Sequence, residues 1–216
     1  MKYGAIVFDC DGVILDSNRV KTEAFRQAAL PYGETAAEAL VIYHTANGGV
    51  SRYRKFAHFM DEIVPARTSG PTIGELLERY ADAVREGLAM CAIAPGLESM
   101  RAATGNTPWF VVSGGDQAEL RHVFAQRGIA CHFEAIFGSP DTKDEILARE
   151  IAAGRIAPSA IFIGDSRYDH QAATAAGLDF AFVSGWSEFA GWQDYAARHG
   201  FPVATDLAEL ASRWSA

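Results

Sequence analysis

The stretch Tyr3–Ser17 constrains this chain more than any other. An apolar run, Ala5-Ile6-Val7-Phe8, ends in Asp9, and Asp11 follows one residue later, ahead of Gly12, Val13-Ile14-Leu15 and Asp16-Ser17. A short apolar run bounded by turn-forming residues reads as a buried strand of a parallel sheet. Two acids at the carboxyl end of such a strand are costly to bury unless a cation or a reaction uses them. Open α/β sheets bind ligands at that edge. Cys10, between the two acids, reads as a spacer whose backbone matters more than its thiol.

After Ser17 the pattern turns helical. Val20, Ala24, Phe25, Ala28 and Ala29 recur at helical spacing over Asn18–Leu30, and Pro31-Tyr32-Gly33 breaks the pattern. Further helices are expected over Ala36–Thr45, over Ser51–Ile63, and from the Thr72–Glu75 capping box through Leu88. No convincing strand lies between Asp16 and Ala92. From Trp109 onward strands and helices alternate: strands over Trp109–Val112, Phe133–Phe137, Ala160–Ile163 and Phe180–Val183, with a short one in Pro202–Thr205. The Asp116–Glu119 cap and the Thr142–Glu145 box open two of the intervening helices, a third covers Asp169–Ala176, and helices near Glu188–His199 and Asp206–Trp214 close the chain. The expected fold is therefore α/β, a doubly wound parallel (Rossmann-like) sheet interrupted by an all-helical insertion. Residues 1–16 and 95–216 are assigned to the core and 17–94 to the insertion, with hinges at Asp16-Ser17-Asn18 and Pro95-Gly96.

Composition narrows the function classes. Lys and Arg number 19 against 27 Asp and Glu, a net charge of -8 over 216 residues, which argues against a nucleic-acid binder. No apolar run approaches the roughly 20 residues of a membrane span. Acids early in the chain interrupt what a signal peptide needs to be apolar. The three cysteines, Cys10, Cys91 and Cys131, are too few and scattered for a disulfide framework or a zinc site. A reduced, cytoplasmic protein is expected, without a nucleic-acid or membrane partner.

Taken singly, the groups that end these strands are weak signals. A Ser after a strand is usually a turn or cap residue, and a DxD is a common turn sequence. In order, each after an apolar strand, Asp9-Cys-Asp11-Gly12, Val111-Val-Ser113-Gly114-Gly115, Ser139-Pro-Asp-Thr-Lys143 and Gly164-Asp165-Ser-Arg-Tyr-Asp169 are far more specific. This order resembles the four motifs of the haloacid dehalogenase-like superfamily, and the helical insertion looks like the cap module of its first subclass. The resemblance implies a phosphatase that hydrolyses a small phosphorylated metabolite, phosphoglycolate or a sugar phosphate, through an aspartyl-phosphate. It implies Asp9 as nucleophile and Asp11 as general acid and base. Mg²⁺ would be held by Asp9, Asp165 and the backbone carbonyl of Asp11. Ser113 and the N–H groups of Gly114 and Gly115 would bind the phosphate, and Lys143 would add positive charge. Asp169 is expected to support the metal ligands from behind.

Asp11 separates chemistries within the superfamily, because relatives of the dehalogenase type lack an acid there. The third motif departs from a Lys-Pro pattern: Pro140 precedes Lys143, a spacing that resembles one branch of phosphoglycolate-phosphatase-like proteins. Lys143 opens a helix, where the macrodipole opposes a cation by roughly 0.3–1 kcal/mol, which argues for a use. Within the insertion, Arg52 beside the Gly48-Gly49 turn suits a carboxylate or phosphate of the substrate. With Lys55 it makes an anion-capable patch at the helix start, although Arg54 and Lys55 also read as the exposed face of an amphipathic helix, and His44 fits either core or surface. The alternatives are a phosphomutase of the beta-phosphoglucomutase type and a non-enzymatic phospho-acceptor module. Trp186, Trp192 and Trp214 read as core; monomer and homodimer both stay open.

Overall fold

In a computed structural model that describes residues 3–214, six parallel strands pair in the order β3-β2-β1-β4-β5-β6. They are β1 (Ile6–Phe8), β2 (Trp109–Asp116), β3 (Ala135–Ser139), β4 (Ile161–Gly164), β5 (Asp179–Val183) and β6 (Val203–Ala204). The strand order reverses at β1, which pairs with β2 on one side and β4 on the other, so Asp9 stands at the switch point where such sheets open a crevice.

Both faces of the sheet are apolar, as period-two alternation requires of a doubly covered sheet. Ile6, Phe8, Ile161 and Ile163 face one side, against α5 (Leu97–Thr104), α6 (Gln117–Gln126) and α10 (Leu207–Trp214). Ala5, Val7, Phe162 and Phe182 face the other, against α7 (Lys143–Ala152), α8 (Arg167–Ala175) and α9 (Trp192–His199).

Between β1 and β2 come α1 (Asn18–Ala29), α2 (Glu34–Ala46), α3 (Arg52–His58) and α4 (Ile73–Met90), with a π-type turn at Phe59–Ile63. Their centre is aromatic: Phe25 lies 4.4 Å from Tyr80 and 5.1 Å from Phe56 between ring centroids. Each such buried ring contributes about 1.5–3 kcal/mol. The expected Thr72–Glu75 and Thr142–Glu145 capping boxes are both formed. Where the chain enters and leaves these helices it pairs with itself, Asp16 N–H donating to Ala92 O and Ala94 N–H to Ile14 O.

The bounds of β2, β3 and α9 depart from the sequence reading near the site. β2 continues past Val112 to Asp116, which pairs with Ser139 across a register shift, because β3 also runs on past Phe137. Phe133 precedes β3 and packs against Phe8, Trp109 and Phe124 instead. α9 starts at Trp192, which leaves Glu188 in a loop. Trp192 stacks on Phe182, and Trp186 and Trp214 are half-buried against the core, as expected of all three.

Candidate active site

Four strand ends converge at the crevice. Asp9 follows β1 and is 2 % exposed; its Oδ1 accepts the Cys10 N–H at 2.7 Å and its Oδ2 lies 2.9 Å from Lys143 Nζ. Lys143 is the first residue of α7 and is fully buried, with Asp169 Oδ1 as its second partner. Asp165 follows β4, and its Oδ2 accepts a hydrogen bond from Asn18 Nδ2 at 2.7 Å. Gly12 (φ 72°) lets the β1 loop pass here, since a Cβ on it would lie 2.2 Å from that same Asp165 oxygen.

Asp169 is spent on holding others in place. Its Oδ2 accepts from the Asp165 and Ser166 N–H groups and from the Ser166 hydroxyl, and its Oδ1 accepts from Lys143. This is the carboxylate of a reciprocal cap on α8, turned also onto the buried lysine.

The electrostatics call for a cation. Oxygens of Asp9, Asp165 and Asp169 lie within 4.8 Å of one another, all buried. Were all three carboxylates ionised, the one ammonium of Lys143 would leave two negative charges uncompensated. Burial, with repulsion from Asp169, pushes the Asp9 carboxyl up to about 7. Burial and then Asp169 and Asp9 push Asp165 well above the usual carboxylate range. Burial works against a charged Lys143, but Asp169 and Asp9 outweigh it and raise its pKa. An all-oxygen donor set short of two positive charges fits a hard divalent cation.

Asp11 faces the other way. Its oxygens accept from Ser17 Oγ and from Lys21 Nζ, each at 2.6 Å. Burial alone would raise the Asp11 pKa; the Lys21 ammonium more than offsets it and holds the carboxyl below its ordinary value.

The remaining expected residues divide. Ser113 is fully buried and its Oγ accepts the Gly115 N–H at 3.1 Å, so that N–H is already engaged and is not the free anion donor the sequence suggested. Gly114 does line the cavity, and a Cβ there would meet the Gly49 carbonyl at 2.1 Å; the Gly48-Gly49 turn of the insertion rests directly on it. Arg52 is buried, lies 4.6 Å above the Tyr80 ring, and forms an ion pair with Glu119 of α6. Arg54 is exposed as expected, but Lys55 is 2 % exposed and lines the cavity, so it is not on an outer face. His44 is buried beside it.

Sequence reasoning missed Lys21, and a signal for it was present. Lys21, Ala24, Phe25 and Ala28 form an i, i+3, i+4, i+7 stripe in α1, with the lysine occupying a buried position. Arg52, Lys55, Phe56 and Phe59 repeat the pattern from α3. A charge inside an apolar stripe is the informative exception to the rule that charges stay outside. Glu188, in the loop before α9, also reaches the site and accepts from Thr22 Oγ1 at 2.7 Å.

These groups border a cavity of about 330 Å³ between the sheet edge and the inserted helices. The model of the haloacid dehalogenase-like hydrolase family matches residues 3–177. The chain belongs to this family. Among curated relatives of this haloacid dehalogenase-like hydrolase, the tyrosine-protein kinase PtkA of Mycobacterium tuberculosis is 27 % identical over 95 % of this chain and 69 % of its own length. A phosphoglycolate phosphatase of Yersinia pseudotuberculosis is also 27 % identical, over 80 % of this chain and 77 % of its own. Among solved structures, a predicted phosphatase from Clostridium acetobutylicum superposes with a TM-score of 0.76 at 17 % identity, covering 99 % of this chain and 98 % of that one. A beta-phosphoglucomutase from Clostridium difficile gives 0.73 at 20 % identity, covering 96 % and 93 %. At these identities the structural likenesses establish the fold. No helix among the described residues is long and apolar enough to cross a membrane.

Proposed function

We propose that this protein is a Mg²⁺-dependent phosphatase that hydrolyses a small phosphorylated metabolite through an aspartyl-phosphate on Asp9. The carrying observation is the buried cluster of Asp9, Asp165 and Asp169 around Lys143, at the carboxyl edge of a parallel sheet and beside a cavity. The family membership supports the same reading, as does the phosphoglycolate phosphatase among its relatives.

The Asp9 carboxylate attacks phosphorus, forming an O–P bond as the ester O–P bond breaks. The Cys10 N–H and Lys143 Nζ fix its two oxygens, so the nucleophile is oriented before substrate arrives. Asp9, Asp165 and the Asp11 carbonyl would hold Mg²⁺, which when bound supplies the charge that lets a carboxylate approach a phosphate dianion. Lys143 adds a second fixed positive charge beside the developing anion, and Asp169 acts by positioning Lys143 and the Asp165 loop.

Asp11 serves as acid and then base. To protonate the leaving oxygen it must carry a proton, so the Asp11–Lys21 pair opens when the ester enters. The ionised state held by Lys21 is the one that then takes a proton from water as the aspartyl-phosphate is cleaved. Ser113 orders the phosphate loop through Gly115, and the inserted helices close the site over the leaving group and keep out bulk water.

Phosphate release from phosphoglycolate, sugar phosphates and a generic aryl phosphate tests this reading. Release is expected with Mg²⁺, lost with a chelator and restored by adding the metal back; release that is indifferent to chelation overturns the metal's role. A second expectation concerns closure. Gly114→Ala drives a methyl group against the Gly49 carbonyl, and overpacking of this kind costs about 1–3 kcal/mol. The Gly49 turn must shift away from the cavity wall to relieve it, so KM should rise severalfold. An unchanged KM would show that the Gly49 turn is not part of the working site.

A further inference from the structure

Three buried cations from the insertion line the cavity, and two already have a carboxylate: Lys21 faces Asp11, and Arg52 faces Glu119. Lys55 is different. Among the described residues no carboxylate lies within ion-pair distance of its Nζ, and its one hydrogen-bond partner is His44 Nδ1 at 2.7 Å. It sits 5.4 Å from the centre of the Phe25 ring, in the aromatic centre of the insertion.

The hydrogen bonds fix which way that contact runs. The single Thr22 hydroxyl proton goes to Glu188 at 2.7 Å, so the 3.1 Å contact between Thr22 Oγ1 and His44 Nε2 must use a proton on Nε2. Nδ1 is therefore the acceptor and Lys55 the donor. Burial, then Lys55 and Lys21, hold the His44 pKa well below its ordinary value, so the ring stays neutral. One Lys55 proton is spent on His44. The others have no acceptor among the described residues and are available at the cavity wall. A buried amine with an uncommitted face, in a chamber larger than a phosphate needs, is a site for an anion.

We propose that Lys55, oriented by His44, is the specificity-determining residue of the cavity, and that it binds a second anionic group, carboxylate or phosphate, carried by the leaving group of the ester. This rests on the phosphatase reading. It separates doubly anionic esters from those whose leaving group is neutral.

The charged groups facing Lys55 are Lys21 from α1, Asp11 after β1, Lys143 from α7 and Glu188 before α9, with neutral His44 and the Phe25 ring at its sides. Burial and then Lys21 bring the Lys55 ammonium down to about 7. An incoming anion favours its charged form, so preference for an acidic leaving group is strongest at low pH and declines as pH rises through that value.

The test compares 2-phosphoglycolate, a hexose bisphosphate and ethyl phosphate as the neutral-leaving-group probe. In wild type, kcat/KM for at least one acidic ester should exceed that for ethyl phosphate by about tenfold or more, on the scale of one charge-assisted contact. Which acidic ester wins names carboxylate or phosphate. Lys55→Met should collapse the ratio, and in wild type the ratio should itself fall by about tenfold between about pH 6 and about pH 8.5, following the loss of one proton. The pH arm needs no variant, so it decides even if Lys55→Met fails to fold. Wild type that shows no preference, a ratio unmoved by pH, or a Lys55→Met protein with the wild-type ratio overturns the proposal. Equilibrium binding of the same probes to Asp9→Asn protein separates the two readings. Lys55-dependent binding without turnover in wild type sinks the phosphatase reading alone. Turnover without selectivity sinks the Lys55 proposal alone, and absence of both sinks the two together.

Discussion

Asp9→Asn is expected to remove phosphate release by roughly four orders of magnitude or more, the scale of losing a covalent nucleophile, while making the metal-free protein more stable. Burial, with repulsion from Asp169, sets the Asp9 carboxyl at about 7 against an ordinary 3.8. Between those two values the folded protein holds a proton on Asp9 that the unfolded chain releases. The native state then binds more protons, so this group's contribution to stability falls as pH rises across the window and is fully unfavourable above it. Asn removes that penalty, on the order of 2 kcal/mol after allowing for the lost Lys143 contact, which corresponds to a Tm gain of about 4–8 °C in a chain of this size. Thermal unfolding in chelator at about pH 8 and again near pH 4 measures it. The gain should be present at the higher pH, shrink at the lower, and be reversed by Mg²⁺, which wild type binds more tightly. An Asn variant less stable than wild type at the higher pH would show that Asp9 is held for structure.

Lys143→Met should do the opposite to stability. Lys143 is fully buried between Asp9 and Asp169, and removing one partner of a buried ion pair leaves an uncompensated charge at about 3–5 kcal/mol. A Tm loss of about 6 °C or more is expected, together with loss of turnover. Combined with Asp9→Asn, the same substitution should cost measurably less, since one of the two stranded carboxylates is gone; denaturant unfolding of the four proteins gives the coupling. Additive losses would mean that the lysine acts through packing rather than charge.

The sheet and its chemical edge were legible because local physics and tertiary demand agree there. Apolar runs that stop at acids, capping boxes, and glycines at strand ends mark Asp9, Asp11, Lys143 and Asp165 without any knowledge of what lies across the crevice. The helical insertion was legible from its period. Lys21 and Lys55 were harder, since each is a charge in a stripe of mostly apolar positions, and a lysine's ordinary place is in water.

The sequence by itself determined the order of strands and helices and which acids end which strands, because those depend on residues within a few positions of one another. Only the tertiary structure decided who partners whom: that Lys21 takes Asp11, that Arg52 is spent on Glu119, and that Lys55 is left facing the cavity beside a neutral histidine. Those pairings join residues from separate elements. Their energies come from burial, which no single stretch of the chain provides alone.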